Sequence, residues 1–342
     1  MANTNTASAL THSPVLKSET CSFPQKEDGL DSINYSILGV NDAIPIIDYS
    51  LLTSDDPVQR SQAIQNLGKT CIEYGFFAVI NHAIPDSVIN GTMEALLRFF
   101  DLPEEKKLKY ETSNSTDKIR WGRGDVHHVS REFFKIASHP QFHCPIHPDD
   151  LREILQEYSE RLREVGINLL RGFSKSLGLE ESYIEKAMDL ESGYDFFTAN
   201  DYPPRFSAAN IIGQFPHNDP GLLILLMQNV SGGLQLEHKG KWLNANLNSN
   251  WIIVNLADHL EILTNGKYKS TIHRVVLNNE VRRVTFPLFL GPSLEAVVSP
   301  APEFVDDNHP SAYRGMTYKD YLEANQHHVI DGKSCLKQIR LI

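Results

Sequence analysis

Apolar positions recur at helical spacing in the first half of the chain and at strand spacing in the second. Between Pro57 and Tyr74, Ile64, Leu67 and Cys71 fall on one face and predict a helix. Gly75 closes it, and Phe76 to Asn81 reads as a short buried strand. A second helix is predicted over about Asp86 to Phe100. Pro103, followed by Glu104 and Glu105, starts a further turn, because proline suits the first helical position and acids favour the positive end of the dipole. Leu151, Leu155, Leu162, Val165, Leu169, Leu170 and Phe173 form one stripe, which predicts an amphipathic helix over about Asp149 to Leu177.

After Tyr194 the pattern changes. Short β-rich runs alternate with Gly, Asn and Asp turns: Leu222 to Gln228, Gly233 to Glu237, Lys241 to Leu243, Trp251 to Leu256, Lys269 to Leu277, Val284 to Leu290 and Ala296 to Val298. Lys239-Gly240 between two of them marks a tight hairpin. Many short strands suggest a sandwich, jelly roll or barrel. The expected fold is mainly β with α cover: a double-stranded β-helix (a jelly roll of cupin type) packed by N-terminal and central helices. The expected organisation is a disordered leader over 1–40, a helical region with short strands over 41–190, the β core over 191–315 and a helical tail over 316–342. The four segments make one functional unit, and the tail is read equally as a lid or a surface helix.

Composition narrows the task. The 342 residues are 41% hydrophobic and 22% charged, ordinary for a globular chain with a sizeable core. A net charge of −11 repels phosphate backbones, so nucleic-acid binding is not expected. No apolar run is long enough to span a bilayer. Cys21, Cys71, Cys144 and Cys335 lie far apart and form no CxxC pair, which fits a reducing compartment. The N-terminus lacks the charged and apolar regions of a secretory signal. Residues 1–18 are rich in Ser and Thr and poor in acids but also lack arginine, so a cytoplasmic location is expected. A monomer is expected as well.

Of fourteen histidines, two call for a functional reading. His217 and Asp219 are two residues apart and, on an extended segment, share a side. His273 lies in another β-rich run. Two imidazoles and a carboxylate can take one face of an octahedral ion, and such facial triads suit non-haem Fe(II). Zinc sites also use two histidines and a carboxylate, and the ligand list alone does not separate the metals. Arg283 and Thr285 form a second pair, again two apart. Arginine's planar fork matches a carboxylate, and a hydroxyl on the same face adds a donor. The pair can hold one end of a dicarboxylate whose other end chelates the metal, an anchor a zinc hydrolase does not need. Arg282 is left on the opposite face as part of an exposed basic pair. His127, His128, His238, His259, His327 and His328 have no partner at ligand spacing and are read as surface or packing residues.

The run Pro216-His217-Asn218-Asp219-Pro220-Gly221, with Lys269-Ser270-Thr271-Ile272-His273-Arg274-Val275 and Arg283-Val284-Thr285, resembles the plant Fe(II)/2-oxoglutarate-dependent dioxygenases, which include flavonol synthases, gibberellin oxidases and hyoscyamine hydroxylase. Gly75 to His82 and Asn200-Asp201-Tyr202-Pro203-Pro204 resemble further motifs of that family, and Asp331 to Leu336 resembles the tail of one subgroup. The likeness runs from about Ile44 to Ile342. It implies Fe(II) on His217, Asp219 and His273, and 2-oxoglutarate with its far carboxylate on Arg283, Thr285 and Tyr202. It also implies O2 as co-substrate and ascorbate as an assay reductant. By family position, Phe133 and Phe289 line the substrate pocket. The implied reaction oxidises a small plant metabolite by hydroxylation, desaturation, cyclisation or demethylation, coupled to release of succinate and CO2. A hormone-inactivating oxidase, a catalytically silent metal-binding protein and a zinc hydrolase are the alternatives. Departures from the pattern are Thr285 for the usual serine, Asn218 for Thr or Ser, Asp201 for an aromatic and Arg205 for a cysteine. They bear on affinity and substrate shape and remove no ligand.

Overall fold

Pleated runs of valine, isoleucine, leucine and phenylalanine dominate the strands of the computed structural model. It describes residues 44–342 except 113, 115–116, 127–128, 205–211, 278–280, 329–334 and 342. The leader, Cys21, His127, His128, Arg205 and most of the Asp331 to Leu336 motif lie outside the described residues.

Thirteen strands build two sheets: β1 (Ile46–Asp48), β2 (Phe76–Ile80), β3 (Ile119–Val126), β4 (Val129–His139), β5 (Asp195–Tyr202), β6 (Ile212–His217), β7 (Leu223–Leu226), β8 (Leu234–His238), β9 (Lys241–Asn244), β10 (Ile252–Leu256), β11 (His273–Val276), β12 (Arg283–Thr285) and β13 (Leu288–Leu290). The larger sheet runs β1-β2-β10-β7-β13-β5-β4-β3, with β12 also paired to β5; the smaller runs β6-β11-β8-β9. Together they form the double-stranded β-helix core, and a cavity between them is lined from both. The first half of the chain contributes four strands to the larger sheet. Ile119–Val126, where the hydrophobic pattern predicts no element, form β3. Glycine and charge at Arg120, Gly122, Arg123 and Gly124 hide its alternation, while long pairing with β4 supplies the backbone hydrogen bonds. The predicted run Val284 to Leu290 is two strands, broken where Pro287 has no N–H to offer a ladder. Lys239 and Gly240 both adopt positive φ, 51° and 78°, as a two-residue hairpin turn between β8 and β9 requires.

Helices cover the larger sheet. The helix Leu151–Ser176 buries the predicted stripe, and Gly166 lets it approach so closely that a Cβ would lie 2.6 Å from Leu290 Cδ2. Gly75, at φ +73°, turns the chain from the helix Pro57–Glu73 into β2. Its carbonyl accepts from Thr271 Oγ1 at 2.6 Å, and a Cβ there would meet Lys269 O at 2.5 Å. The turn therefore supports the segment leading into His273. Gly75→Ala is expected to cost about 1–3 kcal/mol, seen as a lower urea midpoint with unchanged slope.

The C-terminal helix Tyr318–His328 is anchored deep in the core. Tyr318 and Tyr321 are fully buried, and Tyr321 Oη donates to Asp258 Oδ2 at 2.6 Å. Both rings meet the imidazole of His259 edge-on, at centroid distances of 4.7 and 4.4 Å. His259 Nδ1 accepts from the Gly221 N–H at 3.0 Å. Burial pushes the imidazole down to about 3, outweighing the backbone hydrogen bond. The unfolded chain thus binds this proton more readily than the folded protein does. The resulting stability is complete above about pH 6.5 and is lost as pH falls toward 3. Urea midpoints should rise from pH 4 to pH 7, and His259→Gln should flatten that rise while lowering stability at pH 7.

Candidate functional site

His217 is the last residue of β6 and His273 the first of β11, and the two sit opposite each other in the antiparallel register. The strand ends at His217, so Asp219 lies in the turn that follows and not on the extended segment assumed from sequence. That turn is fastened from below: Asp258 N–H donates to Asp219 O at 3.0 Å, and His259 N–H to Gly221 O at 2.9 Å. The imidazole centroids are 4.2 Å apart. Asp219 reaches both, with Oδ1 3.5 Å from His217 Nε2 and Oδ2 3.3 Å from His273 Nε2. One ligating atom from each residue lies within 4.8 Å of the others.

Backbone carbonyls orient both rings. His217 Nδ1 lies 2.7 Å from Phe215 O and His273 Nδ1 3.1 Å from Thr271 O. A hydrogen on each Nδ1 leaves the Nε2 lone pairs aimed at the common centre, the usual arrangement behind a metal-ligating imidazole. Burial, then the neighbouring His273, push His217 down to about 4, so it is neutral at physiological pH. Burial also works against a charge on His273, but the charge and hydrogen bond of Asp219 outweigh it and raise the imidazole above its ordinary value. Burial likewise opposes charge on Asp219, and the two imidazoles more than offset this and hold its carboxyl low.

A buried cation lies in the same cavity. Arg283 and Thr285 on β12 pair with Tyr202 and Asn200 on β5. Arg283 is 1% exposed; Nη2 donates to Gln228 Oε1 at 2.8 Å and Nε to Gly232 O at 3.3 Å. Nη1 is buried without a hydrogen-bond partner, and no acidic side chain among the described residues pairs with this arginine. The Tyr202 ring lies 5.4 Å from the guanidinium carbon. Thr285 Oγ1 accepts from Asn200 Nδ2 at 3.3 Å, which leaves its hydroxyl proton to donate elsewhere. Gly233, at φ +84°, makes room, since a Cβ there would sit 2.7 Å from Arg283 Nε. Burying a guanidinium without a counter-charge is costly, and its free N–H suits a carboxylate.

Both groups open into a cavity of about 190 Å³, which Phe133 and Phe289 also line. Phe289 stacks on Phe196 at 4.4 Å, and the ring of Phe133 lies against Gly122, where a Cβ would be 2.9 Å away. Sequence reasoning missed Arg131, Lys135 and Gln214, which line the same space. Gln214 Nε2 lies 3.0 Å from His217 Nε2, so a metal there must displace the amide. Arg282 is half-buried and paired, not exposed: Nε and Nη2 donate to the Asp201 carboxylate at 2.9 and 2.8 Å, and Nη1 donates to Asp101 at 2.9 Å. The acid at position 201 and the base at 282 thus explain each other.

Residues 44–165 match the family described as non-haem dioxygenase in morphine synthesis, N-terminal, and residues 193–292 match the 2OG-Fe(II) oxygenase superfamily. The chain is 38% identical over 305 residues to 2-oxoglutarate-dependent dioxygenase 19 of Oryza sativa subsp. japonica, covering 87% of this chain and 90% of that protein. The chain belongs to the 2OG-Fe(II) oxygenase superfamily. This oxygenase is also 33% identical over 314 residues to flavanone 3-dioxygenase 2 of the same plant, covering 89% of this chain and 90% of the relative. Its fold matches the crystal structure of JOX2 in complex with 2OG, Fe and JA, with a TM-score of 0.71, 26% identity and coverage of 84% and 88% of the two chains. It is accordingly an oxidoreductase of the dioxygenase type that uses Fe(II), 2-oxoglutarate and O2. Three clustered ligand atoms and a buried guanidinium with an unpartnered N–H fit the metal and the diacid. No helix of the described residues is long and apolar enough to cross a membrane.

Proposed function

We propose that this oxygenase oxidises a small, largely apolar plant metabolite, with Fe(II) on His217, Asp219 and His273. The far carboxylate of 2-oxoglutarate is held by Arg283, Thr285 and Tyr202. The observation that carries the reading is the convergence of three ligating atoms within 4.8 Å in the cavity that also holds Arg283. Bound there, Fe(II) supplies activation of O2 and couples 2-oxoglutarate decarboxylation to oxidation of the substrate. The carbonyls of Phe215 and Thr271 keep both imidazoles in the ligating tautomer. Arg283 fixes the co-substrate's position through its fork, and Thr285 adds a hydroxyl donor. Phe133, Phe289, Ile224 and Leu226 give the cavity apolar walls that exclude water from the reacting centre. The names of the relatives, flavanone 3-dioxygenase and thebaine 6-O-demethylase among them, support a specialised metabolite as substrate, with hydroxylation and demethylation both within reach.

The test is succinate release from 2-oxoglutarate with Fe(II) and ascorbate, screened against plant phenolics, alkaloids, terpenoids and hormones. Substrate-stimulated succinate is expected with iron and not with zinc. Failure of the protein to bind iron, with no succinate from any compound, would sink the reading. Activity with zinc alone would favour the hydrolase.

A further inference from the structure

The cavity is lined by a further cation besides Arg283. Lys135 on β4 shares a face with Phe133, two residues away, and both line the cavity. Lys135 is partly buried. Its Nζ lies 3.6 Å from the centroid of Phe196, and no acidic side chain among the described residues pairs with it. In the sheet, Lys135 pairs with Arg120 on β3 and Thr198 on β5. Arg120 adds a second positive charge, and its own Nε is buried without a partner. Asp117 lies close enough to act on Arg120 but is not among the groups that act on Lys135. Burial, then Arg120, push the Lys135 ammonium down to about 7. A contact with one aromatic face offsets only part of the cost of enclosing an ammonium group.

Lys135 and the Arg283 anchor stand at different points of the sheet. Along β5, Arg283 stands opposite Tyr202 and Lys135 opposite Thr198. The two backbone positions are four steps along the strand, roughly 13 Å, apart. The different backbone positions favour a separate anion at Lys135, and the 2-oxoglutarate arm of the test below decides between the two. Arg131, two residues beyond Phe133, stands nearer the metal-ligand end, where its charge acts on His217.

We infer that Lys135, with Arg120 behind it, receives a carboxylate of the primary substrate, so the substrate is a small acid with an apolar body. The inference rests on the oxygenase reading of this cavity and names the substrate class for it. The apolar body would lie along Phe133 and Phe289, between the carboxylate anchor and the metal ligands.

The test is direct binding by calorimetry to the full chain, anaerobic with Fe(II), with and without 2-oxoglutarate. The probes are phenylacetate, 3-phenylpropanoate and cyclohexylacetate, each against its neutral primary amide. At least one acid should bind about tenfold or more tightly than its amide, as a charge-assisted bond implies. Lys135→Met should erase that preference, Lys135→Arg should keep it, and neither should shift the 2-oxoglutarate Kd more than about twofold. Lys135→Gln, neutral but polar, serves if the methionine variant does not fold. The inference is overturned if no acid binds, if amides bind as well as acids, or if the preference survives in the neutral variants. It is also overturned if 2-oxoglutarate affinity falls with Lys135, because the lysine would then serve the co-substrate. The acid arm is read without 2-oxoglutarate, so it stands apart from the oxygenase reading. That reading fails separately if 2-oxoglutarate binds Arg283→Ala as tightly as the unaltered protein.

Discussion

His217→Ala is expected to abolish turnover while leaving the fold intact. The imidazole stands at the end of β6, faces the cavity and makes its only described Nδ1 contact with the Phe215 carbonyl, so little packing depends on it. Its loss removes one of three ligands and leaves Asp219 and His273 as a bare pair. Losing several kcal/mol of metal-derived stabilisation corresponds to a rate loss of about three orders of magnitude or more. Iron bound after anaerobic reconstitution and succinate formed are the two measurements. Circular dichroism and the thermal midpoint should stay close to those of the unaltered protein. Retained iron with retained turnover would remove His217 from the site.

Arg283→Ala is expected to act on a different quantity. Two charge-assisted hydrogen bonds to a carboxylate are each worth about 1.5–3 kcal/mol. Removing the fork should raise the KM for 2-oxoglutarate about a hundredfold or more, with a smaller change in kcat. The substitution also strips Gln228 Oε1 of its donor, so a modest loss of stability accompanies it. Arg283→Lys should fall between the two, because an ammonium keeps the charge but not the planar fork. Initial rates across a 2-oxoglutarate series decide the matter. An unchanged KM would contradict the anchor.

The difference between what the sequence discloses and what it conceals has a physical basis. His217, Asp219, His273, Arg283 and Thr285 are legible because their chemistry is unusual for their setting: ionisable groups inside apolar strands, at spacings that put them on one face. The helix Leu151–Ser176 is legible because its stripe is long and periodic. β4 is harder. Phe134 and Ile136 point into the core, while Phe133 and Lys135 point into the cavity. Alternation that faces a cavity reads the same as alternation that faces water, so Lys135 passes for a surface residue. Asp201 is harder still, because its partner Arg282 lies 81 residues away and only the β5–β12 pairing brings them together. The buried aromatic anchor of the C-terminal helix has a similar cause, since nothing near Tyr318 and Tyr321 in sequence announces His259.

The division of the site between two sheets has one more consequence. The imidazoles belong to the smaller sheet, while Arg283, Thr285, Tyr202, Phe133 and Phe289 belong to the larger. On the proposed assignment, 2-oxoglutarate is a cross-tie fastened to both. Bound there, the diacid would touch both sheets at once, so a substitution in either sheet can reach the same ligand.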